Sequence, residues 1–272
     1  MGIYPNPGND EYKKAVNSEI YVDKTGLIAF TNRKLNTENQ NICVSRPRRF
    51  GKSMAANMLA AYYCKNIDSR EMFRNFKIAN DETFEKHLNK YNVIHMNMID
   101  FLSRADSMDD LIDYLQRRLL WDIKKEYSDV DCFDWNDLVD VLETVYSEKK
   151  QPFIIIIDEW DCIFRKYPDN IEEQKKYLDF LRFFIKGKSY VALAYMTGIL
   201  PIKKYGEHSV LNMFDEYSMT NQRELAEFTG FTKEEVKELC VRYDMPYEKI
   251  KQWYDGYKLK GIRIYNNGGS YR

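Results

Sequence analysis

The stretch Ser45-Arg46-Pro47-Arg48-Arg49-Phe50-Gly51-Lys52-Ser53 carries the residue types that cradle a phosphate chain. Such a cradle needs backbone N–H groups turned toward anionic oxygens, with a helix N-terminus behind them. It also needs a lysine for the β- and γ-phosphates and a hydroxyl for Mg²⁺; Gly51, Lys52 and Ser53 supply these parts at the right spacing. The leading glycine of GxxxxGK[ST] is missing, because Arg46 stands in its place. Pro47 tightens the loop by fixing its own φ. On these residues alone, Gly-Lys-Ser serves equally well as the start of a helix on a solvated basic loop.

Paired carboxylates follow 106 residues after Lys52, at the end of Phe153-Ile154-Ile155-Ile156-Ile157-Asp158-Glu159. Hydrolysis of a nucleoside triphosphate needs an acid at a strand end to hold hydrated Mg²⁺, and a neighbouring carboxylate to polarise the attacking water. Asp158 fits the first role and Glu159 the second. Taken alone, the pair would also cap a strand and solvate a turn. The two segments together, in this order, favour the phosphate chemistry. Thr197-Gly198 closes the apolar run Tyr190–Met196 and would bring a hydroxyl to the same sheet edge. Thr197 there either orients the water or simply ends the strand. The cations Arg46, Arg48, Arg49 and Lys52 would clamp a triphosphate or, in another setting, the backbone of a nucleic acid. Their confinement to one loop favours the nucleotide and argues against direct nucleic-acid binding. His87, His95 and His208 share no ligand spacing, so neither a metal site nor a Ser-His-Asp triad is indicated.

These residues need a sheet to hold them. Asn41–Ser45 reads as a short apolar strand, and Lys52–Cys64 as a helix with Met54, Met58, Leu59, Ala61 and Tyr62 at helical spacing. Val93–Ile99 is a second strand, followed by helices over Met108–Tyr127 and Asn136–Ser147, the latter capped by Asn136. Phe153–Ile157 has the continuous apolar pattern of a fully buried parallel strand. Glu173–Lys186 is helical, and Tyr190–Met196 is a further strand. Alternation of this kind predicts an α/β fold: a parallel sheet flanked by helices. From about Asn221 the texture turns to charged helices, with a capping box at Thr232-Lys233-Glu234-Glu235, which predicts a small C-terminal helical subdomain.

The chain has 272 residues, a net charge of −1 and 44% apolar residues, so no global basic field points to nucleic acid or membrane, and no fibre or disordered chain is indicated. The longest apolar run, Phe153–Ile157, is too short to cross a bilayer. The five cysteines are odd in number and show no CxxC pair, and the N-terminus shows no signal peptide. A reduced, cytoplasmic protein is expected.

The chain resembles the predicted AAA-ATPase-like proteins of bacteria and archaea. The resemblance rests on Tyr21-Val22-Asp23-Lys24-Thr25, on Arg46-Pro47-Arg48-Arg49-Phe50-Gly51-Lys52-Ser53 and on Ile157-Asp158-Glu159. Thr197-Gly198-Ile199-Leu200 and Trp253-Tyr254-Asp255-Gly256-Tyr257 complete it, over roughly residues 5–260. Members commonly read RPRRFGKS at the loop, so the absent glycine agrees with the resemblance. It implies a P-loop NTPase core of the AAA+/STAND type that binds ATP and Mg²⁺. Residues 46–53 would form the Walker A loop, Ser53 and Asp158 (Walker B) would hold the metal, Glu159 would be the catalytic acid and Thr197 the sensor. The expected organisation is an N-terminal extension (1–40), the core (41–220), a helical lid (221–260) and a truncated tail (261–272). Longer members continue into a part resembling a PD-(D/E)xK nuclease, so this chain is expected to be a fragment, a frameshifted product or a stand-alone unit.

The function this implies is an ATP-hydrolysing, Mg²⁺-dependent switch. The alternative is a non-hydrolysing, nucleotide-gated module that regulates a nuclease or signalling partner. A homo-oligomer would fit either, and Arg165, Arg182, Arg223 and Arg242, or an arginine of a neighbouring protomer, are candidates for the arginine finger.

Overall fold

Four consecutive isoleucines suit a strand only where both of its faces are covered, and every residue of Phe153–Asp158 is buried. The computed structural model, which describes residues 2–202, 212–219, 221, 223–253, 257–259 and 262–265, sets this strand inside a five-stranded sheet. In chain order the strands are β1 (Asn41–Ser45), β2 (Asn92–Asn97), β3 (Phe153–Asp158), β4 (Val191–Gly198) and β5 (Asp215–Tyr217). They lie side by side as β2-β3-β4-β1-β5, and each pairing is parallel.

Parallel neighbours require crossovers, and helices supply them. Short helices α1 (Asp10–Val16) and α2 (Gly26–Asn32) precede β1, and α3 (Lys52–Tyr63) follows it. The path to β2 runs through α4 (Arg70–Phe73) and α5 (Phe84–His87). From β2 to β3 it runs through α6 (Met98–Leu102), α7 (Met108–Glu126) and α8 (Leu138–Lys149), and from β3 to β4 through α9 (Cys162–Lys166) and α10 (Ile171–Ile185).

Ile155 and Ile157 belong to a core shared with Leu111, Leu115 and Leu119 of α7 and Val141 of α8. Ile154 and Ile156 belong to a second core, on the other face, with Leu59 and Tyr62 of α3 and Phe30 of α2. Each isoleucine so buried contributes roughly 1.5–3 kcal/mol of transfer free energy. The edge strand β2 is covered by the N-terminal segment: His95 N donates to Tyr4 O at 3.0 Å, and Asn6 N to Val93 O at 2.7 Å. Such cover keeps an open edge from pairing with another chain.

Several elements differ from the sequence expectation. β2 ends at Asn97, whose side chain caps α6 by accepting from Ile99 N at 3.0 Å, so Val93–Ile99 divides into strand and helix. α8 is capped by Asp137 rather than Asn136. Asp137 Oδ1 accepts from Val139 N at 2.8 Å and Asp140 N at 3.1 Å, whereas Asn136 turns back to Asp134. The segment after Asn221 is not purely helical. Besides α11 (Lys233–Arg242) and α12 (Tyr247–Trp253), it holds a 3₁₀ turn over Arg223–Phe228 and a small antiparallel sheet. The strands of that sheet, β6 (Phe231–Thr232), β7 (Tyr257–Leu259) and β8 (Ile262–Tyr265), lie in the order β6-β8-β7, so β8 falls within the expected tail. The capping box is present: Thr232 Oγ1 accepts from Glu235 N, and Glu235 from Thr232 N. Tyr254–Gly256, His208 and Asn266–Ser270 lie outside the described residues.

All five cysteines are free and buried. Among the described residues no helix is long and apolar enough to cross a membrane.

Candidate functional site

Because β4 lies between β1 and β3, the sheet brings together residues from both singled-out segments. Val44 is in register with Thr197 and Ser45 with Gly198, while Ile157 pairs with Met196. Asp158 therefore comes level with Thr197, whose hydroxyl donates to Asp158 Oδ1. Glu159 N donates to the same oxygen at 3.0 Å, which leaves Oδ2 open to another partner. Asp158 is buried, yet it lines a cavity of about 710 Å³ together with Ser53, Asn57, His95 and Asn97. Burial holds the His95 imidazole below its ordinary range, against the opposing pull of the Asp158 charge.

The loop before α3 is wound by two left-handed residues, Arg49 (φ 67°) and Gly51 (φ 72°). Glycine meets that requirement without penalty at the helix entry, whereas a left-handed arginine costs on the order of 1 kcal/mol. The first helical bond runs from Ala55 N to Gly51 O at 2.9 Å. The amides of Lys52, Ser53 and Met54 thus have no acceptor within the helix, as at any helix start, and this is the arrangement that receives anions. Lys52 is buried, and its ammonium donates to Pro47 O at 3.0 Å. Burial lowers its pKa, while Glu159 and Asp158 act in the opposite sense.

Residues 46–53 divide by position. Arg48, Arg49 and Ser53 are exposed, and Pro47 is half-buried. Phe50 is buried against Ala226, and its carbonyl accepts from Gly230 N at 3.0 Å. Arg46 faces away from the open loop. Its Nε donates to Thr229 Oγ1 at 2.9 Å, and its Nη1 donates to Ser45 O at 2.9 Å and Tyr217 O at 2.6 Å. At 1% exposure it ties the end of β1 to the segment after β5, a task that a count of cations does not reveal.

Glu159 leaves β3 in a left-handed conformation (φ 54°), and its carboxylate pairs with Arg165. Asp161, which the sequence reading did not single out, is fully buried; its Oδ2 accepts from Ile199 N at 3.1 Å and Leu200 N at 2.9 Å. The one available signal was a third acid within four residues of Asp158. Gly198 is required here, because a Cβ would lie 2.6 Å from Trp160 Nε1 and 2.7 Å from Asp161 Oδ1.

Tyr21–Thr25 closes the opposite side. Asp23 accepts from Thr25 N at 2.8 Å and Lys77 N at 2.7 Å. The Lys24 ammonium, whose pKa burial lowers, donates to Glu227 O and Glu235 Oε1, each at 2.7 Å. A narrow cleft of about 30 Å³ opens beside the start of α3, lined by Tyr21, Val22, Phe50, Met54, Met58 and Phe228.

The donors suit a hard divalent cation. Ser53 offers a hydroxyl and Asp158 one uncommitted oxygen, and no group of three His, Cys, Asp or Glu residues among the described ones could hold an ion by itself. An ion bound this way keeps waters and takes its remaining ligands from a phosphate, as Mg²⁺ does.

A family described as predicted AAA-ATPase (AAA-ATPase-like) matches residues 8–207. A curated relative, "Uncharacterized protein in vnfD 5'region" of Azotobacter chroococcum mcd 1, is 23% identical over 261 residues, covering 90% of this chain and 46% of the relative. Among solved structures, one described as a DNA replication initiation factor is similar at a TM-score of 0.39 and 12% identity, covering 90% of this chain and 59% of its own. The ORC2 protein of Aeropyrum pernix, solved as ADPNP-ADP complexes, is similar at 0.40 and 10%, covering 75% of this chain and 50% of its own. The chain thus spans about half the length of the curated relative.

Proposed function

The chain belongs to the predicted AAA-ATPase family, and from that premise we propose that it binds Mg·ATP at the carboxyl edge of its parallel sheet and hydrolyses it to ADP and phosphate. One observation carries this reading: Thr197 and Asp158, on neighbouring strands, share a hydrogen bond beside the strand that leads into the Lys52–Ser53 helix start. The orphan amides of Lys52, Ser53 and Met54 bind phosphate oxygens. Lys52 exchanges Pro47 O for the β- and γ-phosphates, an exchange of one acceptor for a charged one. Ser53 and Asp158 Oδ2 hold Mg²⁺, which when bound draws charge from the phosphate oxygens and orients them. Thr197 keeps Asp158 in place and faces the same edge, and Glu159 accepts the hydrogen bond of the attacking water once its carboxylate is free.

Direct measurement of ATP binding and turnover tests this. Wild type is expected to bind Mg·ATP, Lys52→Ala to lose binding, and Glu159→Gln to bind but turn over about 100-fold or more slowly, the usual loss for a general base. A wild type that fails to bind Mg·ATP at millimolar concentration sinks the proposal. The pairing of Glu159 with Arg165 favours a second reading, a nucleotide-gated module that binds without hydrolysing and regulates a nuclease-like or signalling partner. Binding without turnover in wild type would select it. Assembly into a homo-oligomer and a cytoplasmic setting belong to the same proposal.

A further inference from the structure

Glu159 is held by a guanidinium on its own turn of chain. Arg165, on α9, donates from Nη2 to Glu159 Oε2, and its Nε lies 3.8 Å from Asp161 Oδ2. Asp161 is itself fixed by the amides of Ile199 and Leu200, immediately after β4. The guanidinium therefore sits between two carboxylates, one of them immobilised by backbone, and only a quarter of the Arg165 side chain is exposed. Its Nε is buried and has no hydrogen-bond partner, so what holds it toward Asp161 is charge. Glu159 is also mostly buried, at 16% side-chain exposure.

The guanidinium makes Glu159 Oε2 a weaker base and fixes where the carboxylate points, so Glu159 cannot turn to a water elsewhere without breaking the pair. A second fixed acid behind the guanidinium makes its transfer to a phosphate unfavourable, which sets Arg165 apart from the arginines that reach toward a nucleotide. We propose that Arg165 is a positioning residue that withholds Glu159 from the attacking water, so that basal turnover is throttled until the Arg165–Glu159 pair separates. The inference rests on the ATPase reading of the same site.

The test compares steady-state ATP hydrolysis and Mg·ATP binding for wild type, Arg165→Gln, Arg165→Lys, Glu159→Gln and the Arg165→Gln/Glu159→Gln double variant, all in the full chain, with thermal melting as the folding check. Arg165→Gln is expected to raise kcat about tenfold at unchanged KM, a fraction of what a freed general base supplies. Arg165→Lys, a single point charge in place of a fork, is expected to give about a two- to threefold rise and serves if the glutamine variant does not fold. The double variant is expected to fall to the Glu159→Gln level. A merely structural role would lower kcat or leave it unchanged. Turnover equal to or below wild type in both Arg165 variants, with Mg·ATP binding intact, overturns the proposal while leaving the ATPase reading standing. Absence of Mg·ATP binding in wild type overturns both.

Discussion

Arg46 and Lys52 sit in one basic stretch and are both buried, but they do opposite work. Lys52 gives its ammonium to a single carbonyl that a phosphate can replace. Arg46 is committed to two carbonyls and a hydroxyl. Arg46→Met is therefore expected to lower stability by about 3 kcal/mol or more, since it removes three charge-assisted hydrogen bonds, with a drop in the urea midpoint as the measure. Asp158 depends on Thr197 in a similar way. Thr197→Val keeps the shape and loses the hydroxyl, and is expected to cost roughly 1.5–3 kcal/mol for a bond to a carboxylate. It should also slow hydrolysis while Mg·ATP still binds, and a variant with full turnover would remove Thr197 from the site. Gly198→Ala is expected to destabilise by about 1–3 kcal/mol through the clash with Trp160.

At the scale of elements, the sequence was most informative where one physical demand had a single answer. The run of isoleucines was legible as a strand buried on both faces, and β1 and the start of α3 fell where the apolar pattern put them. Ile156→Ala is expected to cost about 2–5 kcal/mol by thermal melting. Ends were harder to read, because Asn136 and Asp137 are both good caps and only the entry angle of the chain selects one. Asp137→Ala should cost about 1 kcal/mol, and Asn136→Ala much less. The short α5 carries a pH dependence. Burial, with the charge of Lys86 adding, holds the His87 imidazole below its ordinary value of 6.5, and His87 Nδ1 bonds the Tyr91 hydroxyl. The unfolded chain takes up a proton near pH 6.5 that the folded chain refuses. Stability present above that pH is therefore lost progressively as pH falls below it. His87→Gln, which can still meet the Tyr91 hydroxyl, is expected to reduce that loss in urea titrations on either side of pH 6.5, with His95, also held low by burial, supplying the remainder.

Across the whole molecule, the loop before α3 is clasped from two sides by chain that is distant in sequence. Arg46 and Phe50 hold it to residues 217–230, and Lys24 holds the N-terminal segment to Glu227 and Glu235. Glu235→Gln preserves the capping geometry at Thr232 but removes the charge facing a largely buried Lys24. It is expected to cost about 1.5–3 kcal/mol and to increase proteolysis between residues 217 and 235 before the sheet unfolds, as limited digestion would show. The amino-acid sequence by itself determined the α/β class, the loop-helix at Gly51–Ser53 and the carboxylates at the end of β3. These depend on local pattern: a glycine for a left-handed turn, a hydroxyl and lysine at a helix start, an apolar run that must be covered. Only the tertiary structure decided which cations are tied up as anchors, that Asp161 fastens the end of β4, and that Arg165 occupies Glu159. Those outcomes depend on which groups meet after the strands take the order β2-β3-β4-β1-β5. A charge shows its type in sequence, but its partner is set by contacts that only the assembled sheet creates.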